Sequence, residues 1–224
     1  MPLVRVEDAF LRSMHPGRTG REAPLGLLID PVGVHFDSSR PSRIESILAT
    51  GDLQDSNLLA AAELGISRLK HLHLSKYNIH DPDLPIPEPG YVLVVDQTRG
   101  DASIRHGGAS EATFRDMLAA ALRDHPEARI VIRSHPETMA GLRPGHFGAG
   151  DAGGRVTLLD AAVSPHRLLA GAAAVYTVSS QLGFEAILHG HRPHVFGQPF
   201  HAGWGLTTDA QPLPRRTRRL TPAQ

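Results

Sequence analysis

The feature that most constrains this chain is an alternation of short apolar runs and amphipathic segments from residue 91 to residue 196. Residues 91–95 (YVLVV) form a continuous apolar run, which is typical of a strand buried on both faces. Further strands are expected at 129–132, 156–159, 173–178 and 193–196, with helices at 110–123, 164–170 and 181–188 between them. This order predicts a doubly wound α/β domain with a parallel sheet.

The first 80 residues have a less regular pattern. We expect strands at 25–29 and 32–36, and helices at 42–50 and 55–64 that end at Gly51 and Gly65. Four prolines between residues 80 and 90 predict an extended linker. The sequence therefore predicts two domains, an N-terminal portion of residues 1–89 and a C-terminal domain of residues 90–224.

Composition excludes several classes of protein. The formal net charge of zero argues against broad nucleic-acid binding, which usually needs a basic surface. The absence of cysteine excludes disulfides and thiolate metal sites, and it fits a reducing cytoplasm. No apolar run approaches the roughly 20 residues of a membrane span, and the N-terminus has no signal-peptide core.

Ligands of such sheets bind at the carboxyl ends of the strands. Ser179 and Ser180 lie there, between a predicted strand and a predicted helix, where free backbone N–H groups and the helix dipole favour an anion. Gly183 would permit close approach of a ligand, and Glu185 would accept hydrogen bonds from ribose hydroxyls. The alternative is an ordinary N-cap.

Other polar groups follow neighbouring strands. His135, fixed by Pro136, is placed to bind a phosphate, although a structural histidine is the commoner outcome for a lone His. Asp101 follows Gly100 in a turn that would expose its carboxylate, or it simply caps that turn. Glu7 and Asp8 form a carboxylate pair, for which a solvated, salt-bridged face is the alternative.

Three further features have less specific interpretations. The pairs His71/His73 and His189/His191 have a spacing that suits metal chelation in a loop, but neither pair has an adjacent third ligand. Trp204 either lines a cleft that binds the ligand or fills volume in the core. The basic run 215–219 either meets anionic lipid or is a solvated tail.

Six ordered segments together resemble the KpsC/LipA-type capsule polysaccharide proteins, the bacterial β-Kdo transferases. These segments are residues 5–13, 75–78, 92–104 (VLVVDQTRGDASI), 133–137, 177–190 (TVSSQLGFEAILHG) and 196–209 (FGQPFHAGWGLTTD). They span nearly the whole chain. The resemblance implies a GT-B-like fold with two Rossmann-like domains and the active site in the cleft between them.

The resemblance also implies a reaction, the transfer of Kdo (3-deoxy-manno-octulosonic acid) from CMP-β-Kdo to a lipid-linked oligo-Kdo acceptor with retention of anomeric configuration. His135 and the Ser179–Ser180 pair would hold the CMP phosphate, and Glu185 the ribose. Asp101 would be the nucleophile that forms a covalent intermediate, and Glu7 and Asp8 the acid/base candidates on the acceptor side. Retention by two displacements needs such a carboxylate nucleophile.

A departing CMP can be stabilised by an imidazolium, hydroxyls and a helix terminus, so we expect no cofactor and no metal. Arginines near the carboxylates suit a substrate with its own carboxylate; they are Arg5, Arg12, Arg99, Arg105 and Arg133. The expected partners are the CMP-sugar donor, the lipid-linked acceptor and a capsule assembly or export complex, with no nucleic acid. The expected location is the cytoplasm, at the inner face of the inner membrane.

Family members extend further at the N-terminus, so the resemblance implies that the first domain is truncated in this chain. Two other functions remain open from the sequence. One is another GT-B enzyme that uses a nucleotide sugar, such as a sialyltransferase-like protein or an epimerase. The other is a truncated, non-catalytic nucleotide-binding module.

Overall fold

The computed structural model describes residues 3–224, and their strands form two separate sheets. The strands are β1 (Arg5–Asp8), β2 (Leu27–Asp30), β3 (Tyr91–Val95), β4 (Ile130–Arg133), β5 (Val156–Leu159), β6 (Ala172–Thr177), β7 (His194–Val195) and β8 (Thr208–Asp209). The α-helices are α1 (Arg43–Thr50), α2 (Ser56–His71), α3 (Ala102–His106), α4 (Glu111–Asp124), α5 (Pro136–Met139), α6 (Pro165–Gly171) and α7 (Gln181–Leu188).

Six strands form one parallel sheet in the order β5-β4-β3-β6-β7-β8. From β3 the chain builds outward to β4 and β5, then returns across β3 to add β6, β7 and β8 on the other side. The direction of winding therefore reverses between β3 and β6. A reversal of this kind leaves a crevice at the carboxyl ends of the two central strands.

Both faces of the central strand β3 are covered, and every residue of β3 is buried. Val92 and Val94 face α4, where Phe114 and Met117 pack against them. Leu93 and its neighbours on the opposite face meet residues of α6 and α7. This burial explains the uninterrupted apolar sequence of the strand, because no face is left to carry polar side chains. The predicted α/β domain with a parallel sheet is confirmed.

The expected elements of the C-terminal portion are confirmed to within about two residues. The short elements α3, α5 and β8 were not predicted. Each has only two to five residues, which is too short to show a periodic pattern.

The N-terminal portion agrees less well with expectation. The expected strand at 32–36 is wrong: Asp30 accepts hydrogen bonds from the N–H groups of Val32 and Gly33, which bends the chain there. The partner of β2 is instead β1, which pairs with it antiparallel. The expected stop at Gly65 is also wrong, because α2 continues to His71. A partial Rossmann-like domain of residues 1–89 and a domain boundary at residue 89 stay predictions.

One face of the small antiparallel sheet carries three exposed apolar side chains beside Asp8. Val6, Leu27 and Ile29 share this face, and each is more than half exposed. The proline-rich stretch 80–90 is not a free linker. Leu84 and Ile86 pack against the parallel sheet, and the Arg167 guanidinium donates to the carbonyls of Pro82 and Leu84.

The basic run 215–219 is not a free solvated tail, because most of its arginines contact other parts of the protein, whereas its contact with anionic lipid stays a prediction. Arg215 and Arg216 form ion pairs with the buried carboxylate of Glu45 in α1. Arg218 donates to the carbonyl of Gly51, at the end of the same helix, over 2.8 Å. The C-terminal segment is therefore fastened to the N-terminal portion by a cluster of arginines.

We predict that Glu45→Ala lowers the free energy of unfolding by about 3 kcal/mol, since it leaves the buried Arg216 guanidinium without its carboxylate. Urea denaturation of both proteins measures the loss. Glu127→Ala is the matched control, because Glu127 is exposed on a loop. A loss below 1 kcal/mol for Glu45→Ala would show that the cluster contributes little.

Candidate functional site

The main cleft of the described residues lies at the carboxyl edge of the parallel sheet and encloses about 200 Å³. One wall is made by the segments that follow β3, β4 and β6, and it carries Asp101, His135 and Ser179. The opposite wall comes from the N-terminal portion and carries Glu7, Asp8 and Lys76. The winding reversal between β3 and β6 thus places the cleft where the sequence predicts a ligand site.

Ser180 and Ser179 lie where β6 passes into α7. Ser180 is the N-cap of α7, and its hydroxyl accepts from the Leu182 N–H over 3.2 Å. Ser179 is tied to the neighbouring loop, because its N–H donates to Gln97 Oε1 over 2.9 Å and its Oγ lies 3.2 Å from Ser103 Oγ. The ordinary N-cap and the anion site are therefore compatible, since the capping hydroxyl still lines the cleft.

His135 is the N-cap of α5, and its Nδ1 accepts from the Glu137 N–H over 3.1 Å. The hydrogen of the neutral ring therefore sits on Nε2. Burial, followed by the charges of Arg133 and Lys76, lowers the pKa of His135 to about 3. The expected imidazolium is thus corrected to a neutral imidazole that donates through Nε2, held in place by buried Pro136.

Glu185 lies in the second turn of α7 and is only 1 % exposed, so it is far less open to a ligand than expected. Its Oε1 accepts from the Ser75 hydroxyl over 2.8 Å, while Oε2 has no hydrogen-bond partner among the described residues. Burial raises the pKa of Glu185 to about 7, against the opposing effects of Ser75 and the Arg133 charge. The carboxyl still borders the cleft, with one oxygen free to accept.

Gly183 does not border the cleft, which corrects its expected role. A Cβ at this position would lie 2.7 Å from His201 Nε2 and 2.8 Å from a methyl carbon of Thr177. The glycine is therefore required for α7 to pack against the buried His201 side chain, and not for approach of a ligand.

The carboxylates of Glu7 and Asp8 border the cleft from one wall, and that of Asp101 borders it from the other. Asp101 is the N-cap of α3 and accepts from the Ser103 N–H over 2.9 Å, so it does cap a turn as the alternative supposed. Asp8 forms an ion pair with Arg12 at 3.0 Å. Burial, followed by the charges of Asp8 and Asp101, raises the pKa of Glu7, and Lys76 opposes this effect. Glu7 and Asp101 are therefore electrostatic neighbours although they are far apart in sequence.

Of the five arginines proposed to meet a substrate carboxylate, only Arg133 borders the cleft. Arg12 is used by Asp8, Arg99 pairs with exposed Glu111 at 3.6 Å, and Arg5 donates to backbone carbonyls. The guanidinium of Arg133 makes no hydrogen bond to a described residue, and its Nε is buried. It is an unsatisfied cation beside the cleft.

Sequence reasoning gave no role to Gln97 or Lys76. The amide of Gln97 joins the loops after β3 and β6, because its oxygen accepts from the Ser179 N–H and its nitrogen lies 3.1 Å from Ser179 Oγ. Lys76 borders the cleft from the opposite wall. Both lie in segments that carry the family resemblance, and this is the one signal that could have singled them out.

Trp204 does not border the cleft. It is 2 % exposed, its Nε1 donates to the Phe200 carbonyl over 2.7 Å, and the Arg216 guanidinium lies over its ring. Its role is to fill core volume.

The histidine pairs contact other histidines. His166 Nδ1 lies 2.9 Å from His189 Nε2, and the ring of His73 stacks on that of His166. Within residues 3–224 no group of three or more His, Asp or Glu side chains is arranged to hold a metal ion. In the same range no helix has the length and apolar character needed to cross a bilayer.

Comparison with known proteins shows the family of the chain. A family model described as capsule polysaccharide biosynthesis protein matches residues 60–224. The chain belongs to this family. It is 38 % identical over 232 residues to the capsule polysaccharide modification protein LipA of Neisseria meningitidis serogroup B, with 99 % of the chain covered. It spans only 33 % of the length of LipA.

Two solved structures share the fold. The β-Kdo 2,4-transferase KpsC of Thermosulfurimonas dismutans superposes with a TM-score of 0.93 at 39 % identity, covering all of this chain and 70 % of that chain. The β-Kdo 2,7-transferase KpsC of the same organism gives a TM-score of 0.74 at 27 % identity, covering 99 % of this chain and 66 % of that chain. The KpsC/LipA-type resemblance seen in the sequence is confirmed.

We predict that Glu185 makes the stability depend on pH. The folded pKa of about 7 lies above the ordinary value of 4.5, so the protonated carboxyl stabilises the fold. This contribution is complete below the ordinary value and is lost as pH rises through 7. Relative to Glu185→Gln, the wild-type free energy of unfolding should fall by about 2 kcal/mol between pH 5 and pH 8.

Denaturant titrations at several pH values measure this difference. Glu127→Gln, at an exposed position, should leave the pH dependence unchanged. Parallel curves for wild type and Glu185→Gln would mean that the carboxyl is ionised throughout, which contradicts the prediction.

Proposed function

We propose that this chain carries the active cleft of a retaining Kdo transferase, which moves Kdo from CMP-β-Kdo to a lipid-linked oligo-Kdo acceptor. One observation carries the proposal: groups able to bind an anion, among them Ser179, Ser180 and Arg133, border the same cleft as the carboxylates of Glu7 and Asp101. The similarity to the two KpsC transferases supports it. Because the chain spans a third of LipA, the activity of the whole protein belongs to the proposal as well.

The wall formed by the sheet would hold CMP. The N-terminal end of α7, the Ser179 and Ser180 hydroxyls and His135 Nε2–H would donate to the phosphate. The free oxygen of Glu185 would accept from the ribose, which removes the cost of leaving that oxygen unpaired. These donors are neutral or fixed in place, and Arg133 adds the positive charge. We therefore propose that no metal ion takes part.

Asp101 would attack the anomeric carbon in the first step. The bond from that carbon to the phosphate oxygen breaks, CMP leaves with the electron pair, and a glycosyl ester on Asp101 forms. In the second step an acceptor hydroxyl attacks the same carbon, the ester bond breaks, and the hydroxyl proton passes to a carboxylate. Two inversions give net retention.

Glu7 is the better of the two acid/base candidates. Its pKa is raised by burial and by the neighbouring charges of Asp8 and Asp101, which makes it more ready to accept a proton. Asp8 is held in an ion pair with Arg12, which fixes the orientation of its carboxylate. We assign proton transfer to Glu7. We propose that Asp8, through its ion pair with Arg12, holds the N-terminal wall of the cleft in place.

The GT-B arrangement, with a cleft between residues 1–89 and 90–224, belongs to this proposal. So do action at the inner face of the inner membrane and contact with a capsule assembly or export complex. The arginines at 215–219 give no support to membrane contact, because Arg215, Arg216 and Arg218 are engaged with α1 and the segment that follows it.

We predict that Asp101→Asn abolishes transfer, by on the order of 10³-fold or more, while the affinity for CMP is unchanged. Asparagine is preferable to alanine because its side-chain oxygen can still accept from the Ser103 N–H and cap α3. Transfer is measured with CMP-β-Kdo and an oligo-Kdo acceptor, and affinity by calorimetry.

Asp116→Asn, on the exposed face of α4, should behave as wild type. Survival of transfer in Asp101→Asn would exclude Asp101 as the nucleophile. A wild-type chain that binds CMP but transfers to no acceptor would favour a non-catalytic nucleotide-binding module.

We also predict that Ser179→Ala weakens CMP binding by about tenfold, since one hydrogen bond to a charged phosphate is lost. Ser180→Ala is a poorer test because it removes the cap of α7 as well. Ser67→Ala, on the exposed side of α2, is the control. An unchanged dissociation constant for Ser179→Ala would place the phosphate elsewhere.

A further inference from the structure

Lys76 is a cation of the cleft whose ammonium group lies over the Tyr77 ring, 5.5 Å from the ring centroid, without a carboxylate partner among the described residues. Its ammonium group takes part in no hydrogen bond and in no ion pair within residues 3–224, although it borders a cleft that four acidic side chains also line. The chain has only two lysines, Lys70 and Lys76, among its 23 lysine and arginine residues. An unpaired lysine in this position is available to a ligand.

The backbone of Lys76 is held firmly, in contrast to its side chain. Its carbonyl accepts from the N–H groups of Arg12 and Ser13 over 3.1 and 3.3 Å. On either side, Ser75 donates to buried Glu185, and the Asn78 amide donates to the Ser13 carbonyl. The backbone at Lys76 is therefore fixed in position, and a substitution of the side chain leaves these backbone contacts intact.

The two free cations lie at different parts of the cleft. Arg133 is the last residue of β4, and its charge opposes the rise in the pKa of Glu185. Both residues lie in the part of the cleft that we assign to the nucleotide. Lys76 lies on the N-terminal wall, and its charge affects the pKa of Glu7, an electrostatic neighbour of Asp101, as well as that of His135. Of the two cations, Lys76 is therefore the one whose charge reaches the reacting carboxylate Glu7.

The structure of the proposed donor requires a group that binds a carboxylate close to Asp101. In a 2-ulosonic acid such as Kdo, the carboxylate is bonded directly to the anomeric carbon, which is the carbon that Asp101 would attack. A group that binds this carboxylate must lie beside the nucleophile. A point charge on a flexible stem is also suited to a carboxylate that moves as the anomeric carbon changes its bonds.

We propose that Lys76 binds the donor carboxylate and so restricts the enzyme to donors that are 2-ulosonic acids. The inference rests on the proposed function, since it assigns one residue to one group of that donor. The proposal predicts that Lys76 contributes little to binding of CMP alone, which lacks the sugar.

The first test compares affinities for CMP and for CMP-β-Kdo in wild type, Lys76→Met and Lys76→Arg. We expect Lys76→Met to bind CMP within about twofold of wild type and the donor at least about tenfold more weakly. Lys76→Arg should recover most of the donor affinity, because the positive charge is kept. These are binding measurements, so they do not require the chain to complete transfer.

Acetylation of lysines provides a second readout with an internal reference. Fresh CMP-β-Kdo should slow modification of Lys76 by an amine-reactive reagent, while CMP should not. Lys70, whose ammonium donates to the Leu188 carbonyl outside the cleft, should react at the same rate throughout. Mass spectrometry of the two lysine peptides measures both rates.

Two kinds of result would overturn the inference. One is equal weakening of CMP and donor binding in Lys76→Met, or no weakening of either. The other is equal reactivity of Lys76 with CMP and with the donor. Failure of the wild-type chain to bind CMP at all would instead overturn the proposed function, and this inference with it.

Discussion

The reversal of winding between β3 and β6 is the constraint on which the rest of the structure depends. Because β4 and β5 are added on one side of β3 and β6 to β8 on the other, the loops after the two central strands diverge. The space between them cannot be filled by a crossover connection, so it stays open at the carboxyl edge. Gln97 joins the two loops through Ser179, which keeps the distance across this opening fixed.

Helix α7 links the two walls of the cleft. Its first residues follow Ser179 and Ser180, and its second turn places Glu185 under the segment that carries Ser75. Near the start of the same helix, Gln181 donates to the Phe10 carbonyl over 2.9 Å, and the ring of Phe184 meets that of Phe10 edge to face. The helix that offers its N-terminal end to an anion therefore also positions the N-terminal wall, and the geometry of both depends on its packing.

Local patterns predicted the parts of the fold that local physics determines. The apolar run of β3 and the helices capped by Ser42, Ser110 and Ser180 agree with the structure because burial and capping leave a short-range signature. Position at a strand end was also sufficient to find Ser179 and His135. The sequence of β1 shows no regular alternation of apolar and polar residues, so it did not predict a strand. Gly65 did not end α2, because a single glycine destabilises a helix by only about 1 kcal/mol.

Several failures share one cause, which is that the partner of each residue lies far away in sequence. Arginines of the basic run at 215–219 pair with Glu45, about 170 residues away in sequence. Glu185 accepts a hydrogen bond from Ser75, 110 residues away. No window of sequence contains both members of such a pair. Gly183 was misread for the same reason, since the group that approaches it is the protein's own His201.

The central claim is that the sheet wall of this cleft is built to hold a CMP phosphate, and a crystal structure of the chain with CMP tests it most directly. The account predicts that phosphate oxygens lie within about 3.2 Å of the Ser179 or Ser180 hydroxyl and of His135 Nε2, with the ribose beside Glu185. A phosphate bound elsewhere, or one in contact with neither serine nor His135, would contradict it.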